Sequence, residues 1–143
     1  MKRTALFVLT LFAALSVFAK ERSYSIVSPS GKIETQVNVG SIVDYEIRYD
    51  GRTVLAPSAV SMTLSDGRIW GVDAKVSKVS RGSVDSMADS PLYRASKLRE
   101  RYNSLIVSFK GGWSLEFRVY DDAVAYRFAT ALDQPFRVGR EQV

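Results

Sequence analysis

The sequence predicts an all-β chain, an antiparallel β-sandwich of about eight to ten short strands behind an N-terminal signal peptide. Three observations carry that expectation. Apolar and polar residues alternate along most segments, the two-residue period of a strand with one buried face. Turn formers such as Asp50-Gly51, Ser65 to Gly67 and Lys110 to Gly112 separate those runs at the short spacings of sandwich folds. No segment sustains a 3.6-residue period, and no repeat or low-complexity tract is present.

The chain opens with "MKR", the apolar run Ala5 to Phe18 and "VFA", in which Val17 and Ala19 are the small residues of a cleavage site. A membrane span needs about 20 apolar residues. This shorter run meets Lys20 and Glu21 instead, so a signal peptide over 1–19 is expected, with export to the periplasm or beyond and no stable span after cleavage. The remaining domain, 20–143, has 143 − 19 = 124 residues and a charge of +5 − 2 = +3, because Lys2 and Arg3 leave with the signal. That length buries enough surface for one core.

Along the chain, "KIETQVNV" sets Ile33, Thr35, Val37 and Val39 on one face of a strand. "VDYEIRYDGRTVL" does the same with Val43, Tyr45, Ile47 and Tyr49, then turns at Asp50-Gly51, a pair that tolerates the positive φ of a tight hairpin. A second hairpin is expected from Val60, Met62 and Leu64, a turn at Ser65 to Gly67, and a return through Trp70, Val72, Ala74 and Val76. "RGSVDSMADSP" has no period and reads as a loop with at most a short edge strand. "ASKLRER" consists of good helix formers, yet Leu105, Val107 and Phe109 alternate directly after it and favour an extended run. Trp113, Leu115, Phe117 and Val119, then Val124, Tyr126 and Phe128, complete the pattern.

Cysteine and histidine are both absent, which removes disulfides, Ser-His-Asp and Cys-His nucleophiles, and the usual zinc ligand sets. Lys and Arg are dispersed among Asp and Glu in spite of a pI of about 9.6, so no nucleic-acid partner is expected. Three constellations could carry chemistry. Asp121-Asp122 has the residue types of a glycosidase-like carboxylate pair, but neighbours on a strand point to opposite faces, and a turn explains both residues better. Trp70, Trp113 and Tyr93, with Tyr102 and Tyr126, have the flat rings that suit sugars, although Trp113 and Tyr126 fall in phase with the core residues Leu115 and Phe128. Arg94, Lys97, Arg99 and Arg101 in "YRASKLRER" could hold an anion or form a solvated strand edge.

The order of short motifs is more specific than any of these. "SPSGK" (Ser28 to Lys32), "YEIRYDGRTVLAPSAVSMTLSDG" (Tyr45 to Gly67), "RERYNSLIVSF" (Arg99 to Phe109) and "FRVYDDAVAYRF" (Phe117 to Phe128) resemble, in sequence and order, the N-terminal domain of glycoside hydrolase family 97. The resemblance runs from Ser28 to about Val138 and implies a sandwich packed against a catalytic (β/α)8 barrel in exported α-glucosidases and α-galactosidases. It places the catalytic residues and the calcium site in that barrel. It therefore implies no catalytic residue, metal ligand or cofactor in this chain, with α-linked glucans or galactosides as substrates of the parent enzyme. The alternative is a free-standing carbohydrate-binding or protein-interaction module. Two positions depart from the family pattern: Ala123 stands where "YDDG" is usual, with strain expected if that turn needs positive φ, and Ser104 stands where "YNEL" is usual. The family sandwich continues past Val143, so an unpaired sheet edge and an uncovered apolar face are also expected.

Overall fold

The computed structural model describes residues 21–89 and 96–142. The described residues form eleven strands: β1 (Arg22–Val27), β2 (Ile33–Val39), β3 (Val43–Tyr49), β4 (Arg52–Ala59), β5 (Ser61–Leu64), β6 (Ile69–Trp70), β7 (Val76–Asp89), β8 (Lys97–Phe109), β9 (Trp113–Val119), β10 (Val124–Thr130) and β11 (Val138–Gln142). They form two four-stranded antiparallel sheets, ordered β1-β2-β3-β4 and β10-β9-β8-β7, and a three-stranded sheet ordered β11-β5-β6. Residues 1–19, where a signal peptide is expected, and Tyr93 lie outside the described residues.

The period-two residues account for the core. Ile33, Val37 and Val39 of β2 and Val43 of β3 are buried with Leu105, Val107 and Phe109 of β8 and Trp113, Leu115, Phe117 and Val119 of β9. Tyr45 crosses from the first sheet to the second, its ring centroid 5.4 Å from Phe117 and 5.5 Å from Tyr126. Val60, Leu64 and Trp70 bring the third sheet into the same core. Burying side chains of this size stabilises the fold by roughly 1.5–3 kcal/mol each. Thr35 occupies an apolar position in that layer, and its Oγ1 is buried without a partner among the described residues.

The first hairpin turns as expected: Tyr49 pairs with Arg52, and Asp50 and Gly51 take φ of 45° and 76°. Both central residues in the left-handed region match the right-handed twist of the flanking strands. The second hairpin is cut short. Its return strand is only Ile69–Trp70, because Gly71 turns at φ 97° and Asp73 at φ 47°. A Cβ on Gly71 would lie 2.3 Å from the Val60 carbonyl oxygen, so this crossing of backbones requires glycine.

The larger correction is at "RGSVDSMADSP". Instead of a loop, Arg81 to Asp89 belongs to the fourteen-residue β7, paired residue by residue with β8. Arg81, Ser83 and Asp85 hide the period because little covers that stretch, while the hydrogen-bond ladder still fixes its conformation. "KLRER" is likewise strand, resolving its competing signals in favour of the extended run. β1 and β11 carry no sustained period-two signal because one is mostly and the other wholly exposed.

Candidate functional site

Asp121 and Asp122 sit in the four-residue loop between β9 and β10, closed by a 2.8 Å hydrogen bond from the Tyr120 N–H to the Ala123 carbonyl. They are not a working pair. Asp121 Oδ1 accepts a 2.7 Å hydrogen bond from the Ser30 N–H, and its Oδ2 lies 3.6 Å from Arg101 Nη1. Asp122 is exposed and makes no side-chain hydrogen bond among the described residues. At the other end of the clamp, the Ile33 N–H donates to the hydroxyl of Ser28, which is buried and 3.1 Å from the Ser30 hydroxyl. The "SPSG" turn and the "YDD" loop thus meet in space and tie the two large sheets together. Donation from the Ser30 backbone, then from its hydroxyl, with Arg101 nearby, holds the Asp121 carboxyl below the usual range. Ala123 has no positive φ: among the described non-glycine residues only Asp50 and Asp73 do. The strain expected at Ala123 is therefore absent. Ser104 faces Gly82 across the β7–β8 ladder, where its hydroxyl would crowd any Cβ at position 82.

Trp70 and Trp113 lie in the core, 4% and 6% exposed. They stack on each other with centroids 5.5 Å apart and planes 5° apart, and Trp113 stacks on Phe109 at 4.1 Å. Phe136 meets Trp70 edge-on at 5.2 Å. Their faces are occupied by protein, and only parts of both residues reach the wall of a cleft of about 310 Å³. Tyr126 is half-buried beside Tyr45, and burial, with Tyr45 as its neighbour, pushes its phenol up to about 12.

The basic stretch is mostly neutralised where it is described. Arg99 forms a two-pronged pair with Asp85, both bonds 2.8 Å, and Arg101 lies between Asp85 and Asp121. Arg94 is outside the described residues.

A charged cluster on the outer face of β8, β9 and β10 was not singled out by the sequence. Glu116 is only 8% exposed although its face points away from the core. It accepts hydrogen bonds from Arg118 Nε at 2.8 Å and Arg127 Nε at 2.6 Å. Burial alone would raise its pKa, but the two guanidinium groups outweigh burial and hold the carboxyl below the usual range. Arg118 also covers the Tyr102 ring at 4.9 Å, and Tyr102 packs on Tyr120 at 5.0 Å. The i, i+2 Glu-Arg spacing on a polar strand face was the available signal; which cross-strand arginine would join it depended on register.

These carboxylates share one electrostatic state. Asp66, Asp85, Glu116 and Asp121 are all lowered by guanidinium or backbone donors. A general acid at neutral pH needs the opposite shift. Among the described residues no three acidic side chains converge on a point where a cation could sit.

The sequence profile described as "Glycosyl-hydrolase 97 N-terminal" matches residues 26–143. The chain is 44% identical over 141 residues to the retaining alpha-galactosidase of Bacteroides thetaiotaomicron, covering 99% of this chain and 21% of that enzyme. A glycoside hydrolase family 97 enzyme from Pseudoalteromonas sp. strain K8, solved with acarbose, superposes with a TM-score of 0.72 at 22% identity, covering 82% of this chain and 19% of that one. A beta-arabinopyranosidase superposes at 0.73 with 24% identity, over 83% and 20% of the two chains. These superpositions show a shared fold. The chain spans about a fifth of the length of the proteins it matches.

Proposed function

The chain belongs to the glycosyl-hydrolase 97 N-terminal family, and on that premise we propose that it is the non-catalytic β-sandwich of an exported α-glycosidase, supporting a (β/α)8 catalytic barrel. The observation that carries the proposal is the near-complete alignment of this chain with one fifth of a retaining alpha-galactosidase. The engagement of Asp85, Glu116 and Asp121 with arginines or a backbone N–H supports a structural role for each. The parent substrate is an α-linked galactoside or glucan, and calcium belongs to the barrel. Export rests on the Met1 to Ala19 signal.

Two assays test this. The isolated mature chain is expected to release no p-nitrophenol from p-nitrophenyl α-galactoside. A chimera in which it replaces the N-terminal fifth of the Bacteroides enzyme is expected to fold and hydrolyse that substrate. Product release by the isolated chain would sink the non-catalytic assignment, and a folded chimera whose sandwich and barrel separate on limited proteolysis would sink the supporting role.

A further inference from the structure

At the end of the sandwich where β6 leads into β7, two clefts of about 440 Å³ and about 310 Å³ share Asp73, Ala74, Lys75 and Lys110 in their walls. Arg22 lines the larger, and Trp70 and Trp113 line the smaller. The Lys110 N–H donates to the Lys75 carbonyl at 2.8 Å, so the backbone itself holds two lysines side by side. Neither lysine, nor Arg22, forms an ion pair with another described residue, in contrast to Arg68, Arg99, Arg101, Arg118 and Arg127. The carboxylates nearby are Asp73, in the shared wall, and Glu21, which lies against Gly40 on the rim of the larger cleft. Setting aside the Arg68–Asp66 pair, whose arginine also lines the smaller cleft, three cations against two carboxylates leave the site positive, and its concave walls concentrate that potential. Asp73 keeps a left-handed φ of 47° here, tied by its N–H to the Ser41 carbonyl at 2.8 Å. Ile69 and Val72 add exposed apolar surface beside the tryptophans. Each volume falls at the small end of the range of small-molecule sites.

We propose that this cleft binds a hexose carrying an acidic group, carboxylate or phosphate, with the acid between Lys75 and Lys110 and the ring toward Ile69 and Val72. The sugar part rests on the glycosidase reading above, whereas the anion part rests on the three unpaired cations alone. The chain has only two tryptophans, both in this wall, so its intrinsic fluorescence reports the cleft directly. Galacturonate, galactose 6-phosphate, neutral galactose and inorganic phosphate are titrated separately into the mature chain. A saturable change with at least one acidic sugar at a Kd of about 1 mM or tighter is expected, with about tenfold weaker binding in the Lys75→Gln/Lys110→Gln variant. A response to galacturonate alone or to galactose 6-phosphate alone assigns the acid, and a response to both supports the shared chemistry. Equal affinity for neutral galactose would overturn the role of charge. Inorganic phosphate binding as tightly as the sugar phosphate would overturn the sugar part, and no saturation with either acidic sugar would overturn the whole. The double variant is expected to hydrolyse normally in the chimera above, so loss of binding there is separable from loss of barrel support.

Discussion

At the scale of single residues, the aspartate pair shows how position in space redistributes roles that look equal in sequence. Asp121 is the partner of Ser30 and Arg101, while Asp122 is solvated. Because the folded-state pKa of Asp121 lies below its ordinary value, its contribution is complete above the unfolded pKa and is lost as pH falls through the folded one. Asp121→Asn is therefore expected to lower the unfolding midpoint at pH 7, with the gap to the parent closing below about pH 4. Thermal unfolding of both proteins at several pH values checks this, and a gap independent of pH would show that charge is irrelevant at the clamp. That the two aspartates form a turn was legible from their spacing. That one of them bonds to the "SPSG" turn was not, since the contact joins residues 30 and 121 and no local pattern encodes it.

At the scale of elements, legibility followed burial. β2, β9, β10 and the Leu105 to Phe109 end of β8 alternate because one face of each packs on the core, and that alternation makes them legible. The length of β7 is not legible because six of its residues, Val84 to Asp89, pair with Tyr102 to Lys97 beyond the point where β9 begins to cover β8 at Asn103. The result is a two-stranded arm extending about 20 Å past the sheet. It carries Met87, 60% exposed, and the Arg99–Asp85 pair. Two strands without a covering layer are marginal in water, so sequence pressure for an apolar face is weak there. Amide exchange is expected to divide β8 in two: protection over Leu105 to Phe109 near that of the global fold, and protection over Lys97 to Arg101 lower by about a hundredfold or more. Uniform protection along β8 would show that the arm is as firmly held as the sheet.

At the scale of the molecule, the sequence announced a sandwich and left its third sheet unannounced, since β11 pairs with β5 across most of the chain and shows five exposed residues. What makes the three sheets one body is a continuous aromatic chain. It runs from Tyr45 through Phe117 and Tyr126 to Phe128, and on to Trp113, Trp70 and Phe136, with neighbouring centroids no more than 6.5 Å apart. Phe117 is fully buried toward one end, and both tryptophans sit toward the other. Phe117→Ala should cost about 3–5 kcal/mol through lost burial and a cavity, a large part of the 5–15 kcal/mol typical of a domain. If the core is cooperative, tryptophan fluorescence and far-ultraviolet circular dichroism unfold together in urea, and the substitution moves both midpoints equally although it lies away from either indole. A fluorescence transition that stays at its parental midpoint while the dichroism shifts would mean that the tryptophan end folds as a separate unit, and the single-core account would fail.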